Sequence, residues 1–268
     1  MKILILGDVM GSSGRKAVEN NLSKLIKDET IDFTVINGEN AADDGKGITK
    51  SISDEFFQLG VDVITSGNHI YDKKETNDYI DQENRLLRPA NFVETSPGKG
   101  FGIYPTKDNR FKVGVINLMG NVFMKKTDDV FVTAKKIKNK IRLKDNADFI
   151  VIDFHGEITS EKMAIGHFFD GLSTGVVGTH THVPTADTRI LEKGTAYQTD
   201  IGMCGDYNSV IGMNKENSIK KFFKDKSATN HFPAVGEASL SGIIIEADHK
   251  TGLANKVTRV IEGGTLRK

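Results

Sequence analysis

Apolar positions along the chain follow two periods in alternation. KILILG near the N-terminus and DFTVIN from Asp32 are compact β-rich runs, and between them Ala17, Val18, Leu22, Leu25 and Ile26 recur at helical spacing over Arg15 to Asp28. That order predicts a β–α–β beginning. A second helix carries Phe56, Phe57 and Leu59, has Ser51 or Ser53 as its candidate cap, and stops at Gly60 before the strand VDVIT. A third helix is expected from Tyr71 to Glu83, with Asn68 as a candidate cap. Phe111–Leu118 and Asp148–Phe154 read as strands around a lysine-rich amphipathic helix from about Val132 to Ile141, and GVVGTH, ending at His180, reads as another strand.

Beyond His182 the pattern changes. TRILEKGTAYQTDIGM predicts two short strands joined by EKG, Lys215 to Lys226 an exposed helix, and LSGIIIEAD with ANKVTRVIE a closing antiparallel hairpin. Arg88 to Arg110, with Pro89, Pro97, Gly98, Gly100, Gly102 and Pro105, suggests loop and hairpin without fixing a topology. No Pro/Ser-rich linker, repeat or low-complexity tract divides the chain. The expectation is an α/β fold in a single domain over residues 1–268, with two mixed β-sheets packed face to face and helices outside.

Composition narrows the classes. Lys plus Arg (36) balances Asp plus Glu (36), which removes the basic field of a sequence-independent nucleic-acid binder. Lys135 to Lys144 is read as a solvated helix face, with an RNA contact as the alternative. The lone Cys204 permits no intramolecular disulfide and no thiolate-rich zinc site, and is read as a small packed residue. With no apolar run near 18 residues and an opening KILILGD in place of a signal-peptide pattern, the expectation is a soluble cytoplasmic protein without a membrane partner. Gly7, Gly11 and Gly14 fit neither the dinucleotide nor the P-loop register, although Ser12 and Ser13 at the helix start are candidate phosphate contacts.

Seven polar residues stand out by position. Asp8, Glu39, Asn40, Asn68, His155, His180 and His182 lie in short Gly-bounded loops, six of them just after apolar runs that read as strands. Parallel strands deliver such residues to one crevice, so loops distant in sequence can converge. Taken singly, each has an ordinary use: Asp8 and Asn40 as turn residues, Glu39 as a solvated acid, His155 as a buried hydrogen-bonded histidine, His180 and His182 as a polar turn. Taken together, imidazole, carboxylate and carboxamide donors suit iron, manganese or zinc. Glu39 is able to bridge, so two metals can each obtain four protein ligands and keep a position for water. Only Asp8 and Glu39 are anionic, which leaves two divalent ions with surplus positive charge that favours phosphate oxygens. His69, adjacent to Asn68, is then free to protonate a leaving oxygen. Asp153 and Glu157 flank His155 as candidate orienting groups, Glu157 being read foremost as a solvated acid, and His167, His231 and His249 receive no role.

The series GDVMG, NGEN, GNH, FHGE and GTHTHV resembles the calcineurin-like metallophosphoesterases, specifically their YmdB-like branch of bacterial phosphodiesterases. The likeness extends through DFHGEITSEK, VPTADTRILEKGTAYQTDIGM and SVIGM. Met10 replaces the histidine of the common D-x-H pattern, and NGEN replaces the usual aspartate loop, as in that branch. The resemblance implies a metallophosphoesterase-type α/β sandwich of three or four layers. It implies one metal on Asp8, Glu39, Asn40 and His182, a second on bridging Glu39, Asn68, His155 and His180, and His69 as proton donor. It implies two ions, iron foremost with manganese or zinc as alternatives, and hydrolysis of cyclic nucleotides, notably 2′,3′-cyclic monophosphates, by a metal-activated hydroxide. A homodimer or tetramer is implied too. Two rivals stand beside this reading: an RNA-processing nuclease using the same metals, and a metal-occupied regulatory scaffold whose turnover is incidental.

Overall fold

The computed structural model describes residues 1–266. In chain order its elements are β1 (Lys2–Val9), α1 (Gly11–Asp28), β2 (Phe33–Asn37), α2 (Lys50–Gln58), β3 (Val63–Thr65), α3 (Lys74–Tyr79), β4 (Phe101–Pro105), β5 (Lys112–Met119) and α4 (Val130–Lys140). There follow β6 (Phe149–His155), α5 (Thr159–Phe168), β7 (Gly175–Thr179), β8 (Arg189–Ile190), β9 (Ala196–Gln198), β10 (Met203–Cys204), α6 (Lys215–Phe222), β11 (Leu240–Ala247) and β12 (Ala254–Glu262).

They form two mixed sheets. One runs β12-β11-β1-β2-β3 with β10 beside the end of β1, and the other runs β4-β5-β6-β7-β9-β8. Strands β1, β2 and β3 are parallel, as are β5, β6, β7 and β9, so the carboxyl ends within each set point the same way. The period-2 alternation of the strands separates three apolar layers. Ile3, Ile5, Phe33, Val35, Val113, Val115, Phe149 and Val151 meet between the sheets. Leu4, Leu6, Ile36 and Ile64 face outward under α1 and α2, while Ile116, Leu118, Ile150 and Ile152 face outward under α4 and α5. Each fully buried aliphatic or aromatic side chain contributes about 1.5–3 kcal/mol, so this layering holds the two sheets together.

Most boundaries follow the expected pattern, and the departures have local causes. Helix α1 starts at Gly11, earlier than Arg15, because the small residues of its first turn pack against β10: a side chain on Gly14 would collide with the Cys204 carbonyl. Thr49, not Ser51 or Ser53, caps α2 by accepting from the Ile52 N–H at 3.3 Å. Ser53 cannot serve, since its hydroxyl is committed to the Thr49 carbonyl and to Tyr79. Helix α3 covers only Lys74–Tyr79, shorter than expected, and Asn68 does not cap it. Helix α6 ends at Phe222, short of Lys226. The Gly/Pro-rich stretch resolves into β4, antiparallel to β5, which completes the expected hairpin. Helix α5 has no counterpart in the sequence reading, because Glu161 and Lys162 lie on its buried face and blur its amphipathic period.

Candidate metal centre

The parallel strands of the two sheets bring all seven predicted donors to their carboxyl ends. Asp8 is the penultimate residue of β1, set off by a bulge between Leu6 and Asp8 in its pairing with β2. Glu39 and Asn40 follow β2, Asn68 follows β3, His155 closes β6, and His180 and His182 follow β7. The bulge at Gly7 lets β10 come close: a Cβ there would collide with the Gly202 carbonyl.

Three donors gather around the His155 ring. Its Nε2 lies 3.0 Å from Glu39 Oε1, 3.2 Å from Asn68 Oδ1 and 3.0 Å from His180 Nδ1. Ligand atoms of Glu39, His155 and His180 all fall within 4.8 Å of one another, a grouping able to hold a metal ion. The hydrogen bonds behind the ring set its tautomer. Thr179 Oγ1 donates to Asp153 at 2.7 Å and so is left to accept from His155 Nδ1 at 3.0 Å, which turns the Nε2 lone pair inward. His180 Nε2 lies 3.1 Å from Glu157 Oε2, which likewise leaves its Nδ1 facing the group. Glu157 is therefore more than the solvated acid expected of it.

The remaining predicted donors, Asp8, Asn40 and His182, are engaged individually. His182 Nδ1 donates to the Ile211 carbonyl at 2.8 Å, leaving Nε2 unengaged by that bond. Asn40 Nδ2 donates to the Gly45 carbonyl at 2.8 Å, and Asp8 Oδ2 accepts from the His180 N–H at 2.9 Å. Asp8 Oδ1 and Asn40 Oδ1, however, are buried without a hydrogen-bond partner. Such orphaned oxygens are costly, about 1–3 kcal/mol each, unless something else takes them up. A cation meets that requirement, and the oxygen and imidazole donors around it suit a divalent metal.

The loop after β7 is bent where it carries its two donors. His180 and His182 have φ of 99° and 65°, in the left-handed region that histidine seldom enters. The bend breaks the strand alternation that would otherwise send them to opposite faces. A buried ion pair holds the bend: Lys162 Nζ lies 2.6 Å from Asp200 Oδ2, which also accepts from Thr181 N at 3.1 Å and Thr181 Oγ1 at 2.7 Å.

Charge in the group is strongly coupled. Burial lowers the pKa of His155 but the Glu39, Asp8 and Asp153 carboxylates outweigh it, raising the imidazole to about 9. Burial alone would raise Glu39, yet His155 and His69 bring it down to about 2. Asp8, buried and near Glu39 and Asp200, is raised to about 6 in spite of His155 and His182. Burial and the neighbouring His155 push His180 down to about 3. A proton on His155 thus occupies electrostatically the place that a cation would.

His69 stands at the edge of this group. Its N–H donates to Glu39 Oε2 at 3.1 Å, and its Nδ1 lies 2.7 Å from Asp72 Oδ2. It is not among the donors gathered at His155, and its side chain is a quarter exposed. Ser13, a candidate phosphate contact, is buried and donates to the Ala234 carbonyl instead. Burial pushes the Cys204 thiol up to about 12, in keeping with a packed residue.

Several supporting residues escaped the sequence reading. Asn37 donates to Asp153 at 2.9 Å and accepts from the Glu39 N–H at 3.1 Å, tying the two sheets together under the site. Lys162 and Asp200 sit 38 residues apart and leave no local signature. Gly67 was a legible signal, because a Cβ there would collide with the His155 ring and the Glu39 carboxylate.

Comparison with known proteins agrees with this geometry. The family model of YmdB-like protein matches residues 4–260. The chain is 47% identical over 261 residues to a 2′,3′-cyclic-nucleotide 2′-phosphodiesterase of Bacillus subtilis (strain 168), covering 97% of each. The crystal structure of a phosphatase from Mycoplasma pneumoniae is similar at 35% identity and a TM-score of 0.89, over 98% of this chain and 93% of that one. A 5′-nucleotidase from Candida albicans SC5314 shares the fold alone, with 12% identity and a TM-score of 0.55 over 97% of this chain and 50% of its own. Matched over nearly its whole length, with its donor loops at the carboxyl ends of the parallel strands, the chain belongs to the YmdB-like protein family.

Proposed function

We propose that the chain is a metal-dependent phosphodiesterase that opens 2′,3′-cyclic nucleotides at the 2′ oxygen, working in the cytoplasm as one domain. The observation that supports the reading is the donor group of Glu39, Asn68, His155 and His180, together with the buried, unpartnered oxygens of Asp8 and Asn40. Asp8, Glu39, Asn40 and His182 would hold one ion, and Glu39, Asn68, His155 and His180 the other. Iron is foremost, with manganese or zinc as alternatives. When bound, such ions supply Lewis acidity toward the phosphoryl group and lower the pKa of water.

The protein's own residues do the rest. Asp72 engages His69 Nδ1, so the other ring nitrogen is the one available for proton transfer. As a water oxygen bonds to phosphorus and gives up a proton to solvent, the P–O2′ bond breaks, and His69 hands a proton to O2′, to be reprotonated from solvent, leaving a nucleoside 3′-phosphate. Among the described residues no helix is long and apolar enough to cross a membrane. RNA ends with the same cyclic phosphate are the second substrate class. Assembly with further copies of the chain rests on the family resemblance alone.

The test combines anaerobic metal analysis with a turnover screen over cyclic nucleotides, phosphomonoesters and short RNA. Two ions per chain and the highest kcat/KM on 2′,3′-cyclic nucleotides are expected. A monoester turned over better than every diester, or full activity without metal, would overturn the reading.

A further inference from the structure

The loop between β5 and α4 begins at the site. The Gly120 N–H donates to the His155 carbonyl at 2.9 Å, and Lys125 Nζ donates to the Asn68 carbonyl at 2.6 Å. Phe123 lies between these two anchors, three residues from the first, so its backbone stays within about 11 Å of Gly120. The root of the loop is firmly pinned. Asn121 donates its N–H to Glu161 at 2.9 Å, its Nδ2 reaches Thr127 at 3.0 Å, and its Oδ1 accepts from Val130 at 2.9 Å.

At the tip of this pinned loop the sequence does something costly. Phe123 has φ of 61°, a left-handed conformation that glycine or asparagine adopts far more readily, and it is 86% exposed. Exposure alone carries nothing, since single surface apolar residues are common. An aromatic in a disfavoured backbone state, held next to two donor loops and packed on nothing, is different: it has no return in the free protein.

We propose that Phe123 is the stacking platform for the substrate's nucleobase. This rests on the cyclic-nucleotide reading above. A nucleotide whose phosphate were held at His155, Asn68 and His69 would bring its base within reach of this loop, where the exposed ring of Phe123 would offer it a face. Every base has a π-face, so such a platform accepts all of them and favours the larger purines. A docking surface for a protein would need a contiguous apolar patch, which a single turn residue does not make.

The chain contains no tryptophan, so Phe123→Trp installs a single fluorophore at the tip. In the metal-loaded enzyme, titration with 3′-AMP should quench it saturably, whereas a base-less methyl riboside 3-phosphate should not. Phe123→Ala should raise KM for 2′,3′-cAMP by roughly 5- to 150-fold with kcat nearly unchanged. The base-less methyl riboside 2,3-cyclic phosphate should lose nothing. Equal losses on both substrates, or hydrolysis of cyclic nucleotides without quenching or a KM change, would overturn the platform. Quenching by 3′-AMP in an enzyme that hydrolyses no cyclic nucleotide would instead keep the platform and remove the substrate assignment. Absence of both signals removes both.

Discussion

The two donor sets are built differently. Around His155, the Glu39, Asn68 and His180 acceptors converge on the one Nε2 at 3.0 to 3.2 Å, where the raised pKa of the imidazole favours a proton. Around Asp8, two buried oxygens have no hydrogen-bond partner, and the histidine of that set is tied only through its outer nitrogen. The first set therefore has a single proton to draw its acceptors together before any ion arrives. The second leaves two buried oxygens that a cation would engage, and the surrounding fold carries the cost of burying them. Glu39, with one oxygen on His155 and the other accepting from the His69 N–H, is the residue proposed above to be shared by both.

The largest test of this contrast is at the shared residue. Glu39→Ala should lose both ions and bring turnover to background, whereas Asp8→Ala should empty mainly one position; metal-to-protein ratios measured after gel filtration decide it. If Asp8→Ala empties both equally, the two sets are one. Next in size is His69, outside either set. His69→Ala should keep both ions yet lower turnover of 2′,3′-cAMP by about 10² to 10⁴, because its O2′ leaves as a high-pKa alkoxide. A nitrophenyl diester, whose leaving group needs no proton, should lose much less. Equal losses would mean that His69 shapes the site and donates nothing.

A third test removes the support under the bent loop. Lys162→Met leaves the Asp200 carboxylate buried and unpaired, which should cost about 3–5 kcal/mol in a urea melt. It should also weaken metal affinity by about 10- to 100-fold. Lys162→Met with Asp200→Asn should recover much of the stability, since no charge is then stranded; recovery of neither quantity would divorce the ion pair from the ligand loop.

The smallest effect is a proton count. Metal ligation needs a neutral imidazole, so at pH 7 His155, with its pKa raised to about 9, must give up its proton. His180, depressed to about 3, is already neutral, and Asp8, at about 6, is mostly ionised. Loading at pH 7 should release about one proton per chain, and below pH 6 a further share from Asp8. Calorimetry in buffers of different ionisation enthalpy measures this; zero release at pH 7 would place the proton elsewhere.

The donors were legible because each sits where an apolar run ends in a Gly-bounded turn, a local signal that the parallel topology turns into convergence. Strands β11 and β12 were equally plain, since each is a β-branched-rich run and turn residues separate them. What stayed hidden was the support. Asn37 reads as the last residue of a strand, and nothing near Lys162 announces a partner at Asp200. Two histidines at a spacing of two suggest opposite faces, and only the left-handed backbone at His180 and His182 reverses that. Helix α5 was missed for a related reason: its charged residues face inward to neighbours supplied by distant chain, Glu161 to Asn121 and Lys162 to Asp200.

Strand β1 carries Asp8, yet it is flanked on one side by β2 and on the other by β11, with Leu6 opposite Gly242. Strand β1 is thus completed by one synthesised much later. At about 5–20 residues per second, Leu6 waits roughly ten to fifty seconds for its neighbour to be made. Through that interval the nascent chain has an open, apolar edge at the centre of its first sheet. Pairings so distant are slow to close. The strand that carries Asp8 would therefore be flanked on both sides only once β11 has been made, which leaves the unfinished chain dependent on protection of that edge.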